Sequence, residues 1–480
     1  MRATRRRLVL GSAVVIIAGS LVAMPATSWP SPAPRQVTPK VETHRLAGPN
    51  SAQVDAEIEF GLIGVTFDRD PAPGSAVWVR VREQGGWSQW QHLPVSTDTP
   101  DPDDPDFEAI KPATVPLLTD PADAAQVRID TPGGRPSPTA SVRMIEVAEA
   151  PADRAVIERY TAASSARADS DIPEIISRAE WGANESLRSK CPGLTDAHKV
   201  AFVHHTASSS SYTESQAPAQ LRAVYSYATG NGYCDYPYNF AVDKYGNIYE
   251  GRAGGVELPV KSGATASFND NSVSVSALGN FTDAPSTGRT ALNDALAQIV
   301  AWKLGLTGRT AIGWEKLTAA GYPGGAPKGQ VQTFHRVSGH RDAYSTACPG
   351  EDLYGQLGKI RTLASDYQER NGMADSAPPA LSATSIGPWP AKYVRGKTKR
   401  YYRTKSRVRP GTGRTVLVKF RRNKSPWRLY ATRKTDSSRW ARLKLKYYAG
   451  LTKYRLVAPR TPTADRSRGQ VIRLRGSKWG

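Results

Sequence analysis

The sequence predicts an α/β domain set between two β-rich modules, a small β-sandwich before it and a compact basic β-domain after it. Three observations carry this. Residues 53–150 are short alternating or β-branched runs separated by Pro and Gly turns, residues 173–370 alternate strand-like with helix-like segments, and the excess positive charge is confined to the C-terminal end. A chain of 480 residues is too long for one ordinary domain and suits three of about 150 each. With 39 % hydrophobic residues, 11 Trp, 20 Tyr and 9 Phe it can build packed cores, which excludes wholesale disorder. Three cysteines exclude a disulfide-framework mini-protein.

The elements follow in order. Arg2, Arg5, Arg6 and Arg7 precede sixteen uncharged residues, Leu8 to Ala23, and Ala26-Thr27-Ser28 supplies the small residues of a cleavage site. Residues 1–28 therefore read as a secretory signal peptide, using the general route or, from Thr4-Arg5-Arg6-Arg7-Leu8, the twin-arginine route. The apolar run is short of the ~20 residues of a membrane span, so the mature chain is expected outside the cell without a transmembrane segment; a monomer is the expected state. A Pro-rich leader (29–52) leads to the sandwich (53–150), whose Trp78, Trp87 and Trp90 belong either to its core or to a face on which sugars stack. Between its strands lies an acidic, Pro-rich loop, Asp98–Glu108. A linker is expected at 151–172. In the central domain (173–370), Val200–Val203 is a buried strand and Ala219–Ala228 has helical spacing. Asn239–Tyr249 is a hairpin, Ser272–Leu278 a strand, and Arg289–Leu304 and Asp352–Gln368 amphipathic helices. A second linker (371–391) leads to the basic module (392–480).

Residues 391–480 hold 29 Lys and Arg against 2 Asp and Glu, whereas the rest of the chain is mildly acidic. Aromatics such as Tyr401, Tyr402, Trp427 and Trp440 interleave with the cations. That pattern suits nucleic acid, but an exported chain meets anionic cell-wall polymers instead, and these are the expected partner. A lipid surface and a merely solvating charged face are the alternatives.

The chemistry lies in seven histidines and three cysteines. His204 and His205 end the buried strand in Phe202-Val203-His204-His205-Thr206-Ala207. His340 lies in Ser338-Gly339-His340-Arg341-Asp342, and Cys348 follows eight residues later. Cys191 and Cys234 could close a loop of 43 residues, which leaves Cys348 unpaired. Two imidazoles and one thiolate form a zinc ligand set with the fourth position open to a water whose pKa falls toward about 7. Two other readings fit the same residues. One is core histidines with a buried thiol. The other is Cys348 as nucleophile with His340 or His204 as base, although nothing near Cys348 suggests a helix N-terminus that would activate it.

Phe202–Ala207, Tyr238-Asn239-Phe240-Ala241-Val242-Asp243-Lys244-Tyr245-Gly246, Ile248-Tyr249-Glu250-Gly251-Arg252, Leu278-Gly279-Asn280-Phe281 and Gly339–Asp342 through Thr346-Ala347-Cys348-Pro349-Gly350 occur in a familiar order. Segment 175–370 resembles the peptidoglycan recognition protein family, the zinc amidase type that includes phage lysozymes with N-acetylmuramoyl-L-alanine amidase activity. The resemblance implies a mixed central β-sheet flanked by helices, with a groove that holds Zn2+ on His204, His340 and Cys348. It implies that Tyr238 assists proton transfer and that Thr346 steadies the oxyanion. It also implies that Arg252 contacts the second carboxylate of diaminopimelate and that His205 belongs to the groove or supports a ligand. The implied reaction cleaves the amide between N-acetylmuramic acid and L-alanine in the stem of peptidoglycan. Members that bind muropeptides without cutting usually lack the Cys ligand, which is kept here. The chain departs from the family at Pro237 and Ser274, where glycine is common, and at Thr265, where histidine is common.

Overall fold

A computed structural model of the protein describes residues 36–46, 50–166, 172–207, 210–282 and 289–373. Toward the C-terminus it describes 385–386, 393–396, 401–409, 415–422, 428–437, 439–446, 450–458 and 467–476. The expected signal peptide and most of the 371–391 linker lie outside these residues.

The N-terminal sheet has seven antiparallel strands: β1 (Val41–Arg45), β2 (Ser51–Phe67), β3 (Ala76–Glu83), β4 (Gly86–Trp87), β5 (Gln91–Leu93), β6 (Leu117–Asp130) and β7 (Ala140–Ile145). Their order is β1-β7-β2-β6-β3-β4, with β5 also on β3. Strand alternation decides which residues enter the core. In β3, Val77, Val79 and Val81 are buried, whereas Trp78, Arg80 and Arg82 lie on the other face. Trp78, Trp87 and Trp90 are thus outside the core, and arginines stack over them: Arg80 lies 5.3 Å from Trp87 and 4.9 Å from Trp90, and Arg128 lies 5.4 Å from Trp78. The sheet begins earlier than residue 53. Val41–Arg45, in the expected leader, pairs along its whole length with β7.

Residues 151–172 are likewise more than a linker. Asp153–Ala166 form helix α1, because Ile157 and Tyr160 bury against the next domain. The Asp153 carboxylate takes two hydrogen bonds, of 2.9 and 2.7 Å, from the buried Arg222 guanidinium.

The central domain contains β8 (Val200–His205), α2 (Ala217–Gly230), β9 (Phe240–Val242), β10 (Ile248–Glu250), β11 (Ser272–Ala277) and α3 (Arg289–Gly305). It continues with β12 (Trp314–Thr318), β13 (Val331–His335), β14 (Val337–Gly339) and α4 (Glu351–Arg370). The five-stranded sheet has the order β10-β9-β11-β8-β14. β11 runs parallel to β8 and β9, β14 runs parallel to β8, and β10 is antiparallel to β9. On one face Ala201, Val203, Val273 and Val275 pack against Leu296 and Val300 of α3 and Leu357 and Ile360 of α4. Across the sheet, Ala241, Tyr236 and Tyr238 join α2 and, continuously, Leu62, Leu118 and Ile145 of the N-terminal sheet in one hydrophobic cluster. Gly64 of β2 permits this approach, since a Cβ there would overlap the Tyr227 ring. The Tyr227 hydroxyl donates to the Thr114 carbonyl at 2.9 Å.

In the C-terminal region β15 (Ser385–Ile386), β16 (Tyr393–Gly396), β17 (Tyr401–Arg409), β18 (Thr415–Arg422), β19 (Arg428–Lys434), β20 (Trp440–Lys446), β21 (Gly450–Ala458) and β22 (Ser467–Gly476) form two sheets. Val408, Val418, Leu443, Tyr454 and Leu456 are in their shared core. No helix among the described residues is long and apolar enough to cross a membrane.

Removing one partner of a buried ion pair strands the other charge, at a cost of about 3–5 kcal/mol. Asp153→Ala should therefore lower the unfolding free energy by about 3 kcal/mol in a denaturant titration. An unchanged midpoint would show that α1 contributes nothing to the fold.

Candidate metal centre

Parallel pairing of β14 with β8 sets Gly339 beside Val203. The residues that follow, His340 and His204, emerge together at the carboxyl edge of the sheet, with ring centroids 4.6 Å apart. Cys348 arrives on the loop between the single turn His340–Asp342 and α4, tied down where the Arg341 N–H donates to its carbonyl at 3.0 Å. Gly350 lets this loop enter α4. Its φ is +90°, and a Cβ would collide with the backbone of Phe281. One donor atom each from His204, His340 and Cys348 lies within 4.8 Å of the others, and all three residues are buried. The Cys348 sulfur is 3.7 Å from His204 Nδ1. Cys191 and Cys234 form a disulfide, and Cys348 is a free thiol.

These residues fit a zinc-type ion. The His340 ring is buried and makes no geometrically sound hydrogen bond among the described residues; the Asp98 carboxylate lies 3.3 Å from its Nδ1, and a cation held between them would satisfy both. The Nε2 of His204 is 3.1 Å from Thr265 Oγ1, which directs Nδ1 toward the cysteine. Burial, aided by His340, lowers the His204 pKa to about 4 against the pull of Asp98, so the ring is neutral at pH 7, as a ligand must be. Burial and then Asp98 push the Cys348 thiol well above its ordinary range, the reverse of what an unaided thiol nucleophile needs.

Tyr238 lies against this cluster, its ring 5.1 Å from that of His204. Burial and Asp98 hold its phenol well above 10, so it keeps its proton. The Thr346 hydroxyl oxygen accepts from the Cys348 N–H at 3.2 Å. His205 follows His204 in the strand and so points to the opposite face. There its Nδ1 accepts from the Phe281 N–H at 3.4 Å, and burial lowers its pKa to about 3. Arg252 is also buried. Its Nε and Nη1 donate to the carbonyls of Tyr236 and Lys261 at 2.9 and 3.2 Å, and its Nη2 has no partner among the described residues. The structure thus gathers His204, His340, Cys348, Tyr238 and Thr346, and places His205 and Arg252 apart from them.

Two groups were not identified from sequence. Thr265 and Ser274, the family departures, are one feature: their hydroxyls are 3.1 Å apart, and Ser274 donates to Ser262 at 3.0 Å, forming a buried chain that ends on His204. The other is Asp98, from the acidic loop of the N-terminal domain. Its Oδ1 is 3.5 Å from His204 Nδ1 and 3.3 Å from His340 Nδ1. Burial alone would raise its pKa, but the two imidazoles outweigh burial and keep it a carboxylate. The only trace of it in the sequence is the crowding of acidic residues in Asp98–Glu108 with no cation between them.

Residues 195–351 match the N-acetylmuramoyl-L-alanine amidase family (Amidase_2), and residues 23–155 match a family described as Rv3811 N-terminal galactose-binding domain-like. Peptidoglycan-recognition protein SC2 of Drosophila melanogaster is 31 % identical over 185 residues, 38 % of this chain and 84 % of the relative. Peptidoglycan recognition protein 1 of Bos taurus is 31 % identical over 188 residues (38 % and 82 %), and that of Mus musculus 30 % over 184 residues (38 % and 84 %). With that identity across most of each relative's length, the chain belongs to the peptidoglycan recognition protein and type 2 amidase family.

Proposed function

We propose that the protein is a secreted, wall-associated hydrolase that cleaves the amide between N-acetylmuramic acid and L-alanine of peptidoglycan. The observation that carries this is the convergence of two buried imidazoles and a free thiol beside a tyrosine that keeps its proton. Zn2+ on His204, His340 and Cys348 supplies Lewis acidity and lowers the pKa of adjacent water. Tyr238, which keeps its proton at neutral pH, donates a hydrogen bond to the attacking oxygen and shuttles the proton toward the leaving amine. The Thr346 hydroxyl, held beside the Cys348 amide, supports the developing oxyanion. Thr265 fixes the tautomer of His204. His205 braces the strand end from behind through Phe281, and the remaining N–H groups of Arg252 suit a stem-peptide carboxylate.

His340→Ala should remove both bound zinc and the release of stem peptide from purified sacculi. Tyr238→Phe should keep zinc by metal analysis and lose about 10²-fold in rate. Peptide release by zinc-loaded Tyr238→Phe at the wild-type rate would exclude the phenol from the reaction. Zinc bound without any peptide release would leave the family's recognition role alone.

Loss of a group that orients a metal ligand costs about 10–100-fold in affinity. Thr265→Val should therefore weaken zinc binding by that factor in a chelator competition. Equal affinity would show that the hydroxyl chain does not tune the site.

We assign the C-terminal basic region to anionic wall polymers. Near 1 M salt the screening length is about 3 Å, so cell-wall binding by the full chain should collapse there. A chain lacking residues 391–480 should not bind even at low salt, and equal retention by both chains would overturn this assignment.

A further inference from the structure

The acidic loop of the N-terminal domain is strapped across the groove of the central domain. The Asn269 amide donates to the Thr99 carbonyl at 2.9 Å and to Asp101 Oδ1 at 3.1 Å. Lys261 Nζ is 2.7 Å from both Asp101 and Asp104, and Lys328 is 2.9 Å from Asp103. The Cys234 N–H donates to Asp106 at 3.1 Å. Just ahead of these anchors, two consecutive residues engage Thr346, Tyr238 and both histidines of the candidate metal site. The Thr97 hydroxyl donates to Thr346 Oγ1 at 2.9 Å, the Tyr238 hydroxyl donates to Asp98 Oδ2, and Asp98 Oδ1 faces both imidazoles.

The spacing is that of a ligand. Two donors held about 2.0–2.1 Å from a tetrahedral ion lie ~3.4 Å from each other. The Asp98 oxygen lies 3.5 and 3.3 Å from the two histidine nitrogens. Under the strap a cavity of about 430 Å³ remains, lined by Val224, Tyr233 and Tyr238 on one side and Phe107 and Ile110 on the other. The strap therefore bridges the groove without filling it.

We propose that Asp98 occupies the fourth position on the metal and that residues 97–106 stand in for the carboxylate-bearing stem peptide, so that the chain is held latent by its own N-terminal domain. This rests on the amidase reading for its consequence but not for its ligand. In the strap, Asp101 and Asp104 pair with Lys261 and so tie the loop to the central domain. Activation requires the strap to leave, and the carboxylates it releases pass from buried pairs into water.

The test uses the full chain loaded with Co2+, with azide as the external ligand, together with stem-peptide release from purified sacculi by the zinc form. With Asp98 on the metal, azide should leave the wild-type visible spectrum unchanged and shift that of Asp98→Ala. Peptide release should rise at least tenfold in Asp98→Ala, and by a smaller factor in Lys261→Ala, which loosens the strap without touching the metal position. Azide perturbing the wild type as readily as Asp98→Ala, or equal release by wild type and Asp98→Ala, overturns the proposal. A protected wild-type cobalt spectrum with no release by any form keeps Asp98 on the metal and overturns the amidase reading alone. Should Asp98→Ala not fold, Lys261→Ala decides: faster release supports the strap, and an unchanged rate rejects it.

Discussion

The in-register parallel pairing of β14 with β8 is the constraint on which the rest depends. Two strands more than a hundred residues apart end level with one another, so a histidine just past one end meets a histidine at the end of the other. A slip of one residue would turn His204 to the face that packs on α3 and α4 and send His205 to the groove. The pairing is secured by burial on both faces, with Val203 and Val337 facing the helices and Phe202 packed edge-on against Phe334. The disulfide between Cys191 and Cys234 closes 43 residues around β8 and α2, worth on the order of 4 kcal/mol by loop-closure entropy.

Much of this was legible in the residues themselves. The hydrophobic run at Val200–Val203, the alternation at Ser272–Leu278 and the amphipathic spacing of the two long helices report local burial patterns, and a single chain displays those directly. The ligand set was legible because an unpaired cysteine and paired histidines are rare in this composition. His205 shows a limit of motif reading: its strand position alone sends it to the other face, and alternation outranks adjacency. Arg252 shows another, since backbone carbonyls that no motif records take its Nε and Nη1 and leave Nη2 without a partner among the described residues.

What could not be read was everything that depends on one domain touching another. The 151–172 segment looks like a linker because few residues on it are large and apolar, and the partners of those that seek a core, Val156, Ile157 and Tyr160, lie elsewhere in the chain. Asp98 is invisible for the same reason, because its partners are more than a hundred residues away. Thr265 and Ser274 looked like two independent departures. In space they are two ends of one hydrogen bond, each making the other's polarity tolerable in a buried place.

The N-terminal sheet and the central domain share a single apolar cluster, with the Tyr227 ring fitted against a glycine on β2. The two are consequently not interchangeable modules. Fused to a foreign carrier, the sheet would expose Leu62, Leu118 and Ile145 to water, and the central domain alone would show the matching patch around Leu221 and Tyr225. Shuffling of such a pair by recombination is penalised at the first step, and both halves are bound to drift together, each substitution at the seam answered across it.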